Sequence, residues 1–196
     1  MAINIVFYGS EGSGKGTQAA LVAKEFKIPH LISGDLVRKY AKEDEGLIGK
    51  ICREALQKGH YVADSEMYVM WKQRLKENDA QNGWVLDGFP RNLTQAKFLE
   101  RKVEKYGQGV DAVIFLDVSR EESLKRLKNR ARLSPDGSLH DSPEKIKQRL
   151  KHYNQGKKAV LNYYQKRKIL FRINGVGSIK KVHQEVMDLL NKIIQK

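Results

Sequence analysis

The chain has 196 residues, 40% of them apolar and 31% charged, and a net charge of +14; this excludes a disordered chain and suits one domain with an insert or two. Its single cysteine, Cys52, excludes an internal disulfide and a four-cysteine zinc site, and no run approaches the ~20 apolar residues of a membrane span. Residues 1–98 carry a net +2 and residues 99–196 a net +12, which fits either a polyanionic partner (nucleic acid, or nucleotide phosphates) or lysine-rich solvated helix faces.

The first apolar run, Ala2–Tyr8, is short, has no basic flank and runs straight into glycines. It reads as a strand over Ile3–Tyr8 and not as a signal peptide, so the expectation is a cytoplasmic enzyme. The loop after it, Gly9 to Thr17, precedes a helix expected over Thr17–Phe26. Its glycines let successive backbone N–H groups wrap an anion, the helix N-terminus adds its dipole, and Lys15 reaches the outer phosphates. The spacing is that of a phosphate-binding P-loop, except that Gly16 stands where the strict pattern has Ser or Thr, and Thr17 supplies the hydroxyl. This loop is expected to bind a nucleotide. Glu11 brings a negative charge to it and is expected to face outward.

A second strand, His30–Ile32, leads into Ser33-Gly34-Asp35-Leu36-Val37-Arg38, with Ser33 as helix cap and Arg38 about one turn inside. Residues 34–76 read as a helical insert, in which Met67, Met70, Trp71 and Leu75 form a stripe suited to core packing, as does Cys52. A third strand, Trp84–Asp87, ends in Asp87-Gly88-Phe89-Pro90-Arg91. An Asp at such a strand end can hold Mg²⁺ directly or through water, and Arg91 can clamp a phosphate with its planar fork. The fourth strand, Ala112–Val118, is apolar on both faces and belongs in a parallel sheet covered on both sides. Residues 129–142 carry Pro, Gly and small polar residues and read as an exposed excursion, after which Ser142-Pro143-Glu144 opens a helix. A fifth strand, Ile169–Ile173, precedes a last helix marked by Ile179, Val182, Val186, Leu189, Leu190 and Ile193. Two phosphate sites on one sheet edge, at Lys15 and at Arg91, point to phosphoryl transfer between nucleotides.

In this order, GSEGSGKGTQ, SGDLVRK, GHYVAD, DGFPRNLTQ and the late RLKNR…QRL resemble adenylate kinase and its nucleoside monophosphate kinase relatives, over nearly the whole chain. The resemblance implies an α/β fold: a P-loop NTPase core with a parallel five-stranded sheet flanked by helices (residues 1–31, 63–128 and 143–196), a helical monophosphate-binding insert (32–62) and a short lid (129–142). It implies reversible, Mg²⁺-dependent transfer of the γ-phosphoryl group of ATP to AMP, giving two ADP. Gly12, Ser13, Gly14, Lys15, Gly16 and Thr17 would hold the donor phosphates. Arg126 would flank the donor adenine, Arg130 would reach the donor phosphates, and Gly177 would lie near the adenine by its backbone. Ser33, Gly34, Arg38, His60, Tyr61, Val62, Gly88, Phe89, Pro90, Arg91 and Arg149 would hold AMP, and Gln95 matches the family's adenine-reading glutamine. Lys15, Arg91, Arg130 and Arg149 would neutralise charge on the moving phosphoryl group. Asp87 would order Mg²⁺ through water, with Asp35 as the second candidate carboxylate. Closure over both substrates would exclude water.

The lid lacks zinc-ligand cysteines, so no zinc is expected. Gly137-Ser138 stands where many members have Gly-Arg, which leaves one lid arginine missing and makes Arg132 its candidate replacement. Ala159 takes the place of a helix-bending Pro. His30, His60 and His140 read as structural or solvent-facing, because no step needs proton transfer by imidazole. The alternatives are a UMP/CMP or broad-specificity monophosphate kinase, which Gln95 argues against, and a nucleic-acid-associated protein on a kinase scaffold. No aromatic-interleaved basic stripe supports the latter. A monomer without a membrane or nucleic-acid partner is expected.

Overall fold

The computed structural model describes residues 2–130 and 143–195. The lid positions Arg132, Gly137, Ser138, His140 and Asp141, and the helix-opening Ser142, lie outside the described residues. The chain runs β1 (Asn4–Tyr8), α1 (Lys15–Phe26), β2 (His30–Ile32), α2 (Ser33–Glu43), α3 (Leu47–Lys58) and α4 (Asp64–Arg74). A 3-10 turn (Asn78–Asn82) then leads into β3 (Trp84–Asp87), α5 (Leu93–Glu104), β4 (Ala112–Asp117) and α6 (Arg120–Arg130). α7 (Pro143–Lys166), β5 (Leu170–Asn174) and α8 (Ile179–Ile194) complete it.

The five strands form one sheet in the order β2-β3-β1-β4-β5, with every pairing parallel. The strand residues explain this. Every residue of β1 is buried. Val6 and Tyr8 face one apolar layer, with Trp71, Phe89, Leu99 and Tyr164; Ile5 and Phe7 face the other, with Ala19, Val22, Val182 and Val186. A strand apolar on both faces cannot leave either one in water, so helices cover both. Each large apolar side chain fully buried there contributes roughly 1.5–3 kcal/mol. The Met67, Met70, Trp71 and Leu75 stripe is buried as expected. Leu36, Cys52 and Ala55 join the same layer, so the helices α2 and α3 are anchored to the sheet's own core.

Two local expectations differ. α1 starts at Lys15, not Thr17, because the loop passes directly into the helix from Gly14, which takes φ 90° at the cap position. α2 starts at Ser33, with Ile32 at the cap position and no side-chain cap bond, so Ser33 lies in the first turn and does not cap it. α7 runs unbroken through Gly156 and Ala159. Among the described residues, no helix is long and apolar enough to cross a membrane.

Candidate active site

The chain reverses its direction of travel across the sheet at β1, with β3 on one side and β4 on the other. Loops leaving the carboxyl ends of neighbouring strands part there and leave a crevice. The P-loop leaves β1 into that crevice, and Asp87 to Arg91 leave β3 beside it. In the loop, Ser13 N–H donates to Ser10 O at 3.1 Å, and Lys15 Nζ donates to the same oxygen at 3.3 Å. Arg126 Nη1 donates to Ser13 O at 3.3 Å, and its Nε is 2.7 Å from Glu122 Oε1. Gly16 has a physical reason: a Cβ there would stand 3.0 Å from Asp87 Oδ2. The Ser or Thr of the strict pattern would crowd the carboxylate, and the hydroxyl is found one position later, at the exposed Thr17.

Two of the cavities on this edge reach both Lys15 and Arg91. The larger, of about 870 Å³, is lined by Gly12, Gly14, Lys15, Gly16, Thr17, Arg126, Arg130 and Gly177, and by Ser33, Gly34, Asp35, Arg38 and Asp87. The smaller, of about 630 Å³, is lined by Phe89, Pro90, Gln95, His152 and Tyr8. His60, Tyr61, Val62, Gly88, Lys15, Glu11, Arg91 and Arg149 line both. Of the site residues read from the sequence, Ser13 lines neither; it is 1% exposed and serves the loop through its backbone. Arg126, Arg130 and Arg149 bring part of the basic half's charge to the larger cavity.

At the shared wall the arginines are held by tertiary contacts. The Arg91 guanidinium lies 3.7 Å from the centroid of the Tyr61 ring, an arrangement that suits a cation over an aromatic face. Arg149 Nη1 lies 2.8 Å from Glu11 Oε2, and Tyr61 Oη donates to Glu11 Oε1 at 3.3 Å. Glu11 therefore turns inward, against the expectation that it faces out, because Arg149 gives its carboxylate a buried partner. Burial pushes the Tyr61 phenol up to about 12, and Glu11 adds to the rise while Arg91 opposes it.

Arg38 pairs with Asp35 one turn away on α2. Asp87 differs: its Oδ1 is buried and has no hydrogen-bond partner among the described residues. His30 Nε2 is 4.0 Å from Asp87 Oδ2, and burial lowers the His30 pKa although Asp87 and Asp35 pull it up. An orphaned buried carboxylate oxygen beside a P-loop fits the water shell of Mg²⁺. Among the described residues no group of three or more His, Cys, Asp or Glu comes together, so such an ion would draw most of its ligands from phosphates and water, as Mg²⁺ commonly does.

Gln95 is 4% exposed, with Oε1 accepting from Arg91 N–H at 2.7 Å and Nε2 donating to Asp64 Oδ1 at 2.6 Å. Asp64 is the last letter of GHYVAD, yet spacing alone attached no role to it. The Glu11–Arg149 pair and the packing of Gly156 against Arg91 O were missed in the same way.

A family model for adenylate kinase matches residues 7–169. The adenylate kinase of Xanthomonas campestris pv. campestris (strain 8004) is 37% identical over 190 residues, which is 97% of this chain and 100% of that protein. The adenylate kinase of Xanthomonas euvesicatoria pv. vesicatoria (strain 85-10) is 36% identical with the same coverage. That of Xylella fastidiosa (strain M12) is 36% identical over 184 residues, 94% of this chain and 97% of that protein. A likeness that covers nearly the whole of this chain and of its relatives makes this chain a member of the adenylate kinase family.

Proposed function

We propose that the chain catalyses reversible transfer of the γ-phosphoryl group of ATP to AMP, giving two ADP. The observation that carries this is the wall shared by the two cavities: Lys15, Arg91 and Arg149 line both. A phosphoryl group passing from a donor held on the P-loop to an acceptor that reaches Gln95 would meet these three cations. Gly12, Gly14, Lys15, Gly16 and Thr17 would hold the donor phosphates, with Arg126 and Gly177 towards the donor adenine. Ser33, Gly34, Arg38, the His60–Val62 segment and Gly88 to Arg91 would hold AMP, with Gln95 reading its base.

An AMP phosphate oxygen attacks the γ-phosphorus in line, and the bond to the β,γ-bridging oxygen breaks as ADP leaves. The nucleophile is already an anion, so no general base is needed. Rate comes from positioning and from charge neutralisation by Lys15, Arg91, Arg130 and Arg149. Asp87, with Asp35 as the second candidate carboxylate, would hold Mg²⁺ through its waters, and the ion would supply charge neutralisation to the donor phosphates. We take residues 32–62 as the monophosphate-binding insert and 129–142 as the lid. The enzyme is read as a cytoplasmic monomer, where a free thiol such as Cys52 is ordinary.

The test is ADP formation from Mg-ATP with AMP, CMP, UMP and GMP offered separately, alongside Arg91→Ala. AMP-dependent turnover that falls on the order of 10²–10⁵-fold in the variant is expected, by analogy with other arginines on transferred phosphoryl groups. A preference for CMP or UMP would overturn the reading of Gln95. No turnover with any monophosphate, together with salt-dependent RNA binding, would overturn the kinase reading.

A further inference from the structure

The Gln95 amide is held at both ends by groups that admit one orientation only. A backbone N–H can only donate, and Arg91 N–H donates to Oε1 at 2.7 Å. A carboxylate can only accept, and Asp64 Oδ1 accepts from Nε2 at 2.6 Å. Turning the amide over would set Oε1 against the Asp64 carboxylate and the NH₂ group against the Arg91 N–H, so both bonds would become repulsions. Orientation is thus dictated by chemistry, where an amide in a neutral surrounding would be free to choose.

Asp64 is itself held. Its Oδ2 accepts from Asn92 Nδ2 at 2.9 Å, and Asn92 Oδ1 accepts from Gln95 N–H at 2.8 Å. Asn92 is thereby fixed as the cap of α5 with its NH₂ aimed at Asp64. Two amides donate to the two oxygens of one carboxylate. No neutral side chain of the same shape can accept both: an Asn at 64 would oppose its own NH₂ to that of Asn92 or of Gln95.

We propose that Asp64 is a positioning residue that sets the acceptor-base specificity of this enzyme by locking the Gln95 amide. This rests on the reading that Gln95 faces the acceptor base. The amide keeps a second lone pair and a second N–H, and Gln95 lines the cavity with Gly88 and Arg91. Adenine presents a donor at its 6-position and an acceptor at N1; guanine presents the reverse. A locked amide matches one of these patterns in a given pose and opposes the other, and a site built this way discriminates far better than shape does.

The experiment compares wild type, Asp64→Asn and Gln95→Leu with AMP and with GMP as acceptor, Mg-ATP as donor, and thermal melting as a check of folding. Asp64→Ser, which keeps an oxygen at the start of α4, carries the test if Asp64→Asn does not fold. Expected for the Asp64 variant is a rise of about tenfold in the KM for AMP, with kcat within about threefold, the KM for ATP unchanged, and a fall of at least tenfold in the AMP-over-GMP preference in kcat/KM. An unchanged preference overturns the role of Asp64, even if KM rises. If Gln95→Leu collapses the preference and the Asp64 variant does not, this proposal alone fails. If Gln95→Leu leaves the preference intact, the reading of Gln95 fails and takes the proposal with it.

Discussion

Arg149 Nη1 lies 2.8 Å from Glu11 Oε2, so a carboxylate of the loop after β1 occupies an arginine that lines both cavities. The arginine is 8% exposed and the glutamate 25%, so solvent screens the pair little. A phosphate arriving at Arg149 meets an anion already there. Binding must displace the Glu11 carboxylate or share the guanidinium with it, and either costs affinity.

Glu11→Gln is therefore expected to lower the KM for AMP about tenfold, the equivalent of about 1.4 kcal/mol, within the range of one charge-assisted contact. The amide still accepts from Tyr61, so the pocket keeps its shape. Steady-state kinetics with varied AMP at saturating Mg-ATP reads it. A raised KM would show instead that Glu11 pre-orders Arg149 for the substrate.

Tyr61 sits between the two shared-wall arginines, under the Arg91 guanidinium at 3.7 Å and bonded to Glu11 at 3.3 Å. The ring and the hydroxyl can be separated. Tyr61→Phe keeps the aromatic face and is expected to leave kcat/KM for AMP within about threefold. Tyr61→Ala removes a contact worth on the order of 1 kcal/mol and should lower kcat/KM roughly five- to tenfold, mainly through KM. Equal effects from the two variants would refute a role for the ring.

Gly156 tests a conflict between local preference and packing. In mid-helix, Gly costs about 1 kcal/mol relative to Ala, so propensity alone makes Gly156→Ala stabilising. A Cβ there, however, would stand 2.2 Å from Arg91 O and 3.5 Å from Asn92 Cα. Backbone cannot swing aside as a side chain can, and overpacking of this kind costs about 1–3 kcal/mol or more. Packing should win. The variant is expected to melt lower by a few degrees, about 2–4 °C per kcal/mol at this size, and to lose activity because Arg91 is pushed from its place. A higher melting temperature would refute the close approach.

The strands were legible in the sequence because β1 and β4 are buried on both faces and so read as unbroken apolar runs. All five fall within two residues of their expected ends. The P-loop and the Asp87–Arg91 turn were legible because both are short local motifs. What the sequence hid is long-range. Glu11 looked like a misplaced charge until α7 brought Arg149 to it, and Asp64 was one acidic residue among several until the start of α4 met the start of α5. Spacing assigns a residue to an element. It does not say which distant side chain that element will meet.

Glu100 applies the same physics away from the site. It lies on α5, buried, with Oε1 3.8 Å from Arg167 Nε and no hydrogen-bond partner for that oxygen among the described residues. Burial raises its pKa, and Arg167 only partly offsets this. The sign follows from linkage. Between the ordinary glutamate pKa, about 4.3, and the raised folded value, the folded protein holds the proton that the unfolded chain has released. Stability therefore falls as pH rises through that window and stays lower above it. Glu100→Gln removes the ionisation while keeping the shape. It is expected to melt above the parent at pH 7, by about 2–4 °C for a gain on the order of 1 kcal/mol. The difference should shrink as pH falls below the glutamate range, where the parent is protonated in both states. Melting curves from pH 4 to pH 8 decide it: a variant that melts below the parent at pH 7 would mean that the Arg167 contact outweighs the desolvation of the carboxylate.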